Sequence, residues 1–273
     1  MKFLVDHDYH VHSKLSPCSG PFGQTTNQLL DYAVNNGIKK MVITDHFWDE
    51  AYPLFHPDYK GLNMELLESV LPLPQAEGVE FYFGAEIEMD KDMKLGVSPE
   101  NMEKFEFMPV ATSHMHHVGY AIYESDNTFE RRVKIYIERM IKFLEMDLPF
   151  HKMGLAHFVD TGIGRGNKEE LKIIDAVSDS TFYDIFKRAA QVNVGIEINI
   201  NIFSYDDREI ETLLRPHRIA KDCGCKFYLG SDIHAERKMK IAKAQFEAVI
   251  DALDLTEEDK FRPLDNVKPR YAK

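Results

Sequence analysis

Two histidines separated by one residue, in the run Asp8-Tyr9-His10-Val11-His12-Ser13, are the first side chains able to do chemistry together. Residues two apart in a β-strand point to the same side, so His10 and His12 offer two imidazoles to one cation. Alone, such a pair is equally compatible with ordinary surface or core histidines. The rest of the chain repeats the pattern. Thr44-Asp45-His46 ends the apolar run Met41-Val42-Ile43, and Gly84-Ala85-Glu86-Ile87-Glu88 sets a carboxylate after Phe81-Tyr82-Phe83. Leu155-Ala156-His157 and Gly230-Ser231-Asp232-Ile233-His234 do the same. Acids and imidazoles are costly where apolar strands meet unless something pairs with them. Separate hydrogen-bond partners would satisfy one or two of these groups; shared divalent cations satisfy all of them. Imidazole and carboxylate donors suit zinc, iron or manganese.

The segment Thr112-Ser113-His114-Met115-His116-His117 holds three histidines, of which one is needed. His114 falls at the end of the strand expected over Phe107–Thr112. His116, two residues on and on the same side, is the alternative, and His117 is assigned to solvent or substrate. His7, His56, His151 and His217 match no motif.

These residues need elements that bring them together. Strands are expected at Val5–His12, Lys40–Asp45, Glu80–Glu86, Phe107–Thr112, Lys152–Ala156, Gly195–Ile200 and Lys226–Gly230. Helical patterns fill the intervals at Thr26–Asn36, Met64–Leu71, Phe129–Met146, Thr181–Gln191, Asp207–Asp222 and Arg237–Leu253, with Gly37 and Gly224 closing two of them. Such alternation makes an α/β fold with a parallel sheet, either closed as a barrel or open and doubly wound. The chemical residues fall at or just past strand C-termini. A barrel gathers those ends around one mouth, whereas an open sheet would concentrate them at a switch point. The barrel is the expectation, as a single domain over residues 1–273.

Composition bounds the partners. The 273 residues carry 33 basic against 45 acidic side chains, a formal charge of −12, which repels polyanions and argues against non-specific nucleic-acid binding. A small anionic substrate remains compatible, because bound cations reverse the local field. No run approaches the roughly 20 apolar residues of a membrane span, and the N-terminus lacks the layout of a secretory signal. Cys18, Cys223 and Cys225 make no disulfide framework, which points to a reducing cytoplasm. The oligomeric state is open.

The set DYHVHS, ITDH, GAEIE, TSH, LAH and GSDIH resembles the PHP (polymerase and histidinol phosphatase) superfamily, and most closely its histidinol-phosphatase-like phosphoesterases. The resemblance runs from about residue 6 to residue 240, with the motifs in the family's order. It implies a distorted seven-stranded (β/α) barrel and two or three divalent ions. It also implies an enzyme that hydrolyses a phosphomonoester by a hydroxide bridging the metals, in the manner of the phosphatase of histidine biosynthesis. Carried over, His10, His12 and Asp232 hold a first metal. Glu86 bridges it to a second that His114 and His157 complete, and His46 and His234 hold a third with help from position 18. Relatives place Asp or His there. This chain has Cys18, whose thiolate suits zinc and iron but serves manganese or magnesium poorly; the alternative is a small side chain beside a weak third position.

Within that reading Asp232 orients the attacking water or accepts its proton, and His234 meets the leaving group. Arg165, in the glycine-rich loop after the His157 strand, is the first candidate to bind phosphate, and Arg237 the second; each is equally readable as a solvated charge. Glu197-Ile198-Asn199 resembles a late-strand signature of histidinol phosphatases. Glu197 is expected to fix a ligand histidine and Asn199 to face the pocket. The continuation Ile200-Asn201-Ile202-Phe203 departs from that signature, which affects histidinol phosphate as substrate rather than phosphomonoester hydrolysis itself. The alternatives are a phosphodiesterase or nuclease of the same superfamily, an amidohydrolase-like enzyme (no strand-end lysine supports it), or an inactive binding module.

Overall fold

The computed structural model describes residues 1–53, 56–161 and 168–272, with backbone alone at 21 and 22. From β1 (His7–Val11) the chain passes through a 3₁₀ segment, Pro17–Phe22, to α1 (Thr26–Asn36). Thr25 and Gln28 cap that helix reciprocally, and Gly37 at φ +72° ends it. Next come β2 (Lys40–Ile43), β3 (His46–Phe47), α2 (Met64–Glu68), β4 (Glu80–Phe83) and β5 (Glu86–Glu88). They lead to α3 (Pro99–Met102), β6 (Met108–Ala111), α4 (Phe129–Glu145) and β7 (Met153–Leu155). The second half holds α5 (Glu169–Ala176), α6 (Asp179–Val192), β8 (Gly195–Ile198), α7 (Asp207–Asp222), β9 (Lys226–Leu229), α8 (Glu236–Met239) and α9 (Ala242–Ala252). Among the described residues no helix is long and apolar enough to cross a membrane.

All strand pairs within the two sheets are parallel; the sheets run β1-β2-β4 and β3-β5-β6-β7-β8-β9. The same two chain segments pair twice, as Ile43 with Phe83 and then as His46 with Glu86. The expected strands Lys40–Asp45 and Glu80–Glu86 are therefore each broken, and each resumes at a candidate ligand. The ends of the strand order also meet. Val11 bridges to Ile233, the His12 N–H donates to the Ile233 carbonyl at 3.2 Å, and the Asp232 N–H donates to the His10 carbonyl at 2.7 Å. The result is an α/β fold of parallel strands in a barrel-like arrangement. On β1 the register slips between Asp8 and Val11, three residues spanning what two span on β2. A bulge of this kind re-aims side chains beside functional sites, and His10 lies within it.

Strands such as Met41-Val42-Ile43, Phe81-Tyr82-Phe83 and Phe227-Tyr228-Leu229 are buried on both faces, which is why they read as unbroken apolar runs. Their residues divide between two cores. The large one packs strands against helices; the small one joins Tyr9, Val42, Tyr82, Phe107 and Tyr228 to Phe261 and Leu264 of the C-terminal segment. Expected helix bounds hold at α1 and α7, where caps mark both. The expected Arg237–Leu253 helix is two pieces, since Ile241 at φ −118° interrupts it. α3 and α5 were not anticipated: each is short, with too few apolar positions to show a period.

Candidate metal centre

Glu86, the first residue of β5, presents its two oxygens to different groups of histidines. Oε2 lies 3.6 Å from His10 Nε2 and 3.4 Å from His12 Nε2, while Oε1 lies 2.7 Å from His157 Nε2 and 4.0 Å from His114 Nε2. His10 and His12 converge as their spacing predicts, with Nε2 atoms 3.1 Å apart. Asp232 Oδ1 sits 3.2 Å from both His12 Nε2 and His234 Nε2 and 3.8 Å from His10 Nε2. His46 turns Nδ1 to Glu86 Oε2 at 2.8 Å and Nε2 to the Cys18 sulfur at 3.2 Å. Four sets of donor atoms each fit within 4.8 Å: His10, His12 and Glu86; Glu86, His114 and His157; His12, Cys18 and His234; His46, Glu86 and Glu88.

The donor set fits divalent cations. Glu86 and Glu88 are 1% and 0% exposed. Among the described residues no group completes a hydrogen bond to Oε2 of either, even with His46 Nδ1 close to one of them. A buried carboxylate oxygen without a donor is costly, and a cation meets it. The electrostatics agree. Burial would push the Glu86 carboxyl up, but the charges of His46 and His10 and the hydrogen bond with His157 outweigh it and hold it well below the usual range. Asp232 is likewise held down against burial by His234 and Lys238. Burial would lower His10, yet Glu197 and Glu86 raise it well above the imidazole range; burial and the charge of His234 push His12 well below it. His157 is raised to about 9 against burial by its bond to Glu86 and the charges around it.

The ring nitrogens turned away from the centre have partners that fix which nitrogen faces inward, as metal-ligating imidazoles require. His10 Nδ1 meets Glu197 Oε1 at 2.7 Å, His12 Nδ1 meets Ser16 Oγ at 2.8 Å, His157 Nδ1 meets Ser113 Oγ at 3.1 Å, and His114 Nδ1 meets Glu88 Oε1 at 2.8 Å. Glu197 Oε2 also accepts from the main-chain N–H of His157 at 2.6 Å. A Cβ at Gly230 would stand 2.1 Å from Glu197 Oε1, so glycine there lets the carboxylate pass. Asp45, a strand-end acid in the sequence, is taken up by Ser13 and Ser16, whose hydroxyls donate to it at 2.7 and 2.6 Å. His157 and Asp232 adopt φ of +24° and +50°. Such backbone is uncommon outside glycine and clusters at functional sites.

Two clefts meet over Asp232 and His234. The first, of about 340 Å³, is lined by Cys18, His46, Tyr59, Glu86, His114 and the rim histidines His116 and His117. The second, of about 250 Å³, includes Asp160, Asn199, Asn201, Ser204, Tyr205 and Lys238. Of the two alternatives in the triple-histidine segment, His114 turns toward Glu86 while His116 is exposed at the rim. Asn199 lines the second cleft. Arg165 lies outside the described residues. Arg237 is exposed and lines neither cleft; Lys238, next to it, does, donating to the Asp232 carbonyl at 2.8 Å. His7 and His217 are buried away from the centre, bonded respectively to Asp6 and to the Leu213 carbonyl.

Two residues escaped the sequence reading. Glu88 sits two past Glu86 on a strand, the same spacing that singled out His10 and His12, so that signal was present. Arg139 of α4 is fully buried and donates to the carbonyls of Met89, Asp90, Thr112 and Ala121 at 2.6–3.0 Å, pinning the two segments that carry Glu88 and His114. On a helix its charge reads as solvent-facing, and nothing local marks it.

No protein-family model matches the chain, and no curated protein sequence is similar to it. Among solved structures, an archaeal ribonuclease P with mature tRNA is a loose likeness, 13% identical over 98% of this chain and 96% of that one, and its TM-score of 0.34 carries no argument. Histidinol phosphate phosphatase (HISK) from Lactococcus lactis subsp. lactis Il1403, complexed with zinc, L-histidinol and phosphate, is similar at a TM-score of 0.58 and 15% identity, over 91% of this chain and 93% of that one. The chain thus shares the fold of that histidinol phosphate phosphatase along nearly its whole length, with histidine and carboxylate clusters able to hold metal at its strand ends.

Proposed function

We propose that this protein is a metal-dependent phosphoesterase that hydrolyses a small phosphomonoester. The observation that carries the reading is Glu86, whose two oxygens face His10 with His12 and His114 with His157, the arrangement of a carboxylate shared between two cations. In this reading the two sheets form one distorted barrel of seven strand runs in a single domain, closed where Val11 pairs with Ile233. His10, His12 and Asp232 would hold a first metal with Glu86. Glu86, His114 and His157 would hold a second, and His46, His234 and Cys18 a third. Divalent ions, when bound there, would supply an acidified water and neutralise charge on the phosphoryl group.

The chain's own groups do the rest. Asp232, whose Oδ1 lies 3.2 Å from both His12 Nε2 and His234 Nε2, orients the attacking water or accepts its proton. His234, 3.2 Å from Asp232 and on the border of both clefts, is placed to meet the leaving oxygen. Lys238 supplies a cation for the phosphoryl group, the role the sequence offered first to Arg165 and second to Arg237, since among the described residues lining the clefts it is the one lysine or arginine. Asn199 offers a carboxamide to the leaving group. Three free cysteines fit a reducing compartment such as the cytoplasm.

The test is a panel of phosphomonoesters, histidinol phosphate included, run beside phosphodiesters, amides and single-stranded DNA with added zinc, iron or manganese. Phosphomonoester turnover that chelator abolishes and metal restores is the expected result. Turnover confined to diesters or amides, or none with any metal, sinks the reading.

A further inference from the structure

We infer that Cys18, His46 and His234 form a soft metal position, one that takes zinc or ferrous ion through a thiolate and discriminates against magnesium and manganese. The inference rests on the multinuclear reading above and divides that centre into two chemical kinds.

The three residues come from separate parts of the chain: the 3₁₀ segment after β1, the start of β3, and the run beyond β9. The Cys18 sulfur lies 3.2 Å from His46 Nε2 and 3.8 Å from His234 Nδ1. A tetrahedral zinc ion with sulfur at about 2.3 Å and nitrogen at about 2.0 Å separates those donors by roughly 3.6 Å, and the two distances fall on either side of that value. The set whose donor atoms all lie within 4.8 Å of one another is Cys18, His12 and His234, and His46 meets the same sulfur from β3, so three imidazoles flank it. On the far edge of the His46 ring stands Glu86 Oε2, buried and lacking a hydrogen-bond donor among the described residues. His46 thus stands between the sulfur and a carboxylate oxygen that calls for a cation.

The other positions are built from carboxylate oxygens and imidazole nitrogens alone: Glu86, Glu88 and Asp232 with His10, His12, His114 and His157. Oxygen-rich positions accept manganese or magnesium; a thiolate disfavours both and favours zinc and iron. On binding, the Cys18 thiol releases its proton to solvent as the sulfur–metal bond forms. One chain then sorts two kinds of ion by donor type.

Cobalt reports the sulfur directly. The chelator-stripped full chain, kept reduced and anaerobic, is titrated with Co²⁺ while the near-ultraviolet thiolate-to-cobalt charge-transfer band and the visible ligand-field bands are followed. The band is expected to saturate at one cobalt per chain, to disappear in Cys18→Ser, and to persist when Cys223 and Cys225 are both changed to serine. Zinc should displace it at equivalence, and magnesium or manganese in about hundredfold excess should not. In Cys18→Asp the band is lost and the position takes manganese, read as one more bound Mn²⁺ per chain. Cobalt that binds with ligand-field bands but no charge-transfer band, or a band that survives in Cys18→Ser, overturns the soft position and leaves the phosphoesterase reading standing. A chain that binds no cobalt at all overturns both.

Discussion

Glu197 Oε1 lies 2.7 Å from His10 Nδ1, and the other oxygen of the same carboxylate holds the main chain of His157. One buried acid from β8 therefore orients a member of each group of histidines that faces Glu86. Glu197→Gln keeps the shape but loses the charge. Metal affinity should fall about 10–100-fold, the usual cost of losing such a partner, with circular dichroism unchanged. Competition against a chromophoric chelator measures it. An unaltered affinity would mean that Glu197 only packs.

His157→Ala removes a donor 2.7 Å from Glu86 Oε1. Phosphomonoester turnover should drop by more than about a hundredfold, beyond the effect of a supporting partner, with one fewer tightly bound ion per chain. Full activity in this variant would show that the donor assignment is mistaken.

Lys238→Met tests the cation of the second cleft. A charge-assisted hydrogen bond contributes about 1.5–3 kcal/mol, so KM should rise roughly tenfold or more while kcat changes little and metal content stays the same. Competitive inhibition by inorganic phosphate should weaken in parallel. The same substitution at Arg237, which is exposed and off both clefts, should leave both constants alone; a matching loss there would return the role to Arg237.

Arg139→Met leaves four main-chain carbonyls without the donor that now serves them. Burial already lowers this guanidinium to about 10, so it stays charged near neutrality. Orphaned buried acceptors cost about 1–3 kcal/mol each, and partial rehydration recovers some of that. A net loss of about 3 kcal/mol lowers Tm by roughly 6–12 °C in a chain of this size. Calorimetry decides it: a Tm within a degree of the parent would mean that water replaces the side chain at no cost.

The cysteines should separate by pH. Burial would raise the Cys18 thiol, but bonds to His234 and His46 bring it down to about 7, whereas burial pushes Cys225 up to about 12. Because the thiolate is the nucleophile, iodoacetamide labelling of the metal-free chain at Cys18 should climb as pH rises through about 7 and level off above it. Cys225 should stay unlabelled across that range. Peptide mass spectrometry reads both sites, and equal labelling at pH 7 would contradict the assignment.

Much of the centre was legible in one dimension because its signals are local. His10 and His12 share a side by strand periodicity, and His46, Glu86, His157 and Asp232 each close an apolar run. α1 and α7 have the bounds that their caps announce. The tertiary structure alone decided what depends on partners far away in sequence. It gave one oxygen of Glu86 to His10, His12 and His46 and the other to His114 and His157, broke two strands at residues 44–45 and 84–85 so that both resume at a donor, and brought Asp232 to His12 across 220 positions. It also put Lys238 rather than Arg237 at the second cleft. Residue type and spacing determine which groups seek a cation. Which of them meet, and through which atom, is settled by long-range strand pairing and by the buried acids Glu88 and Glu197 that orient the rings.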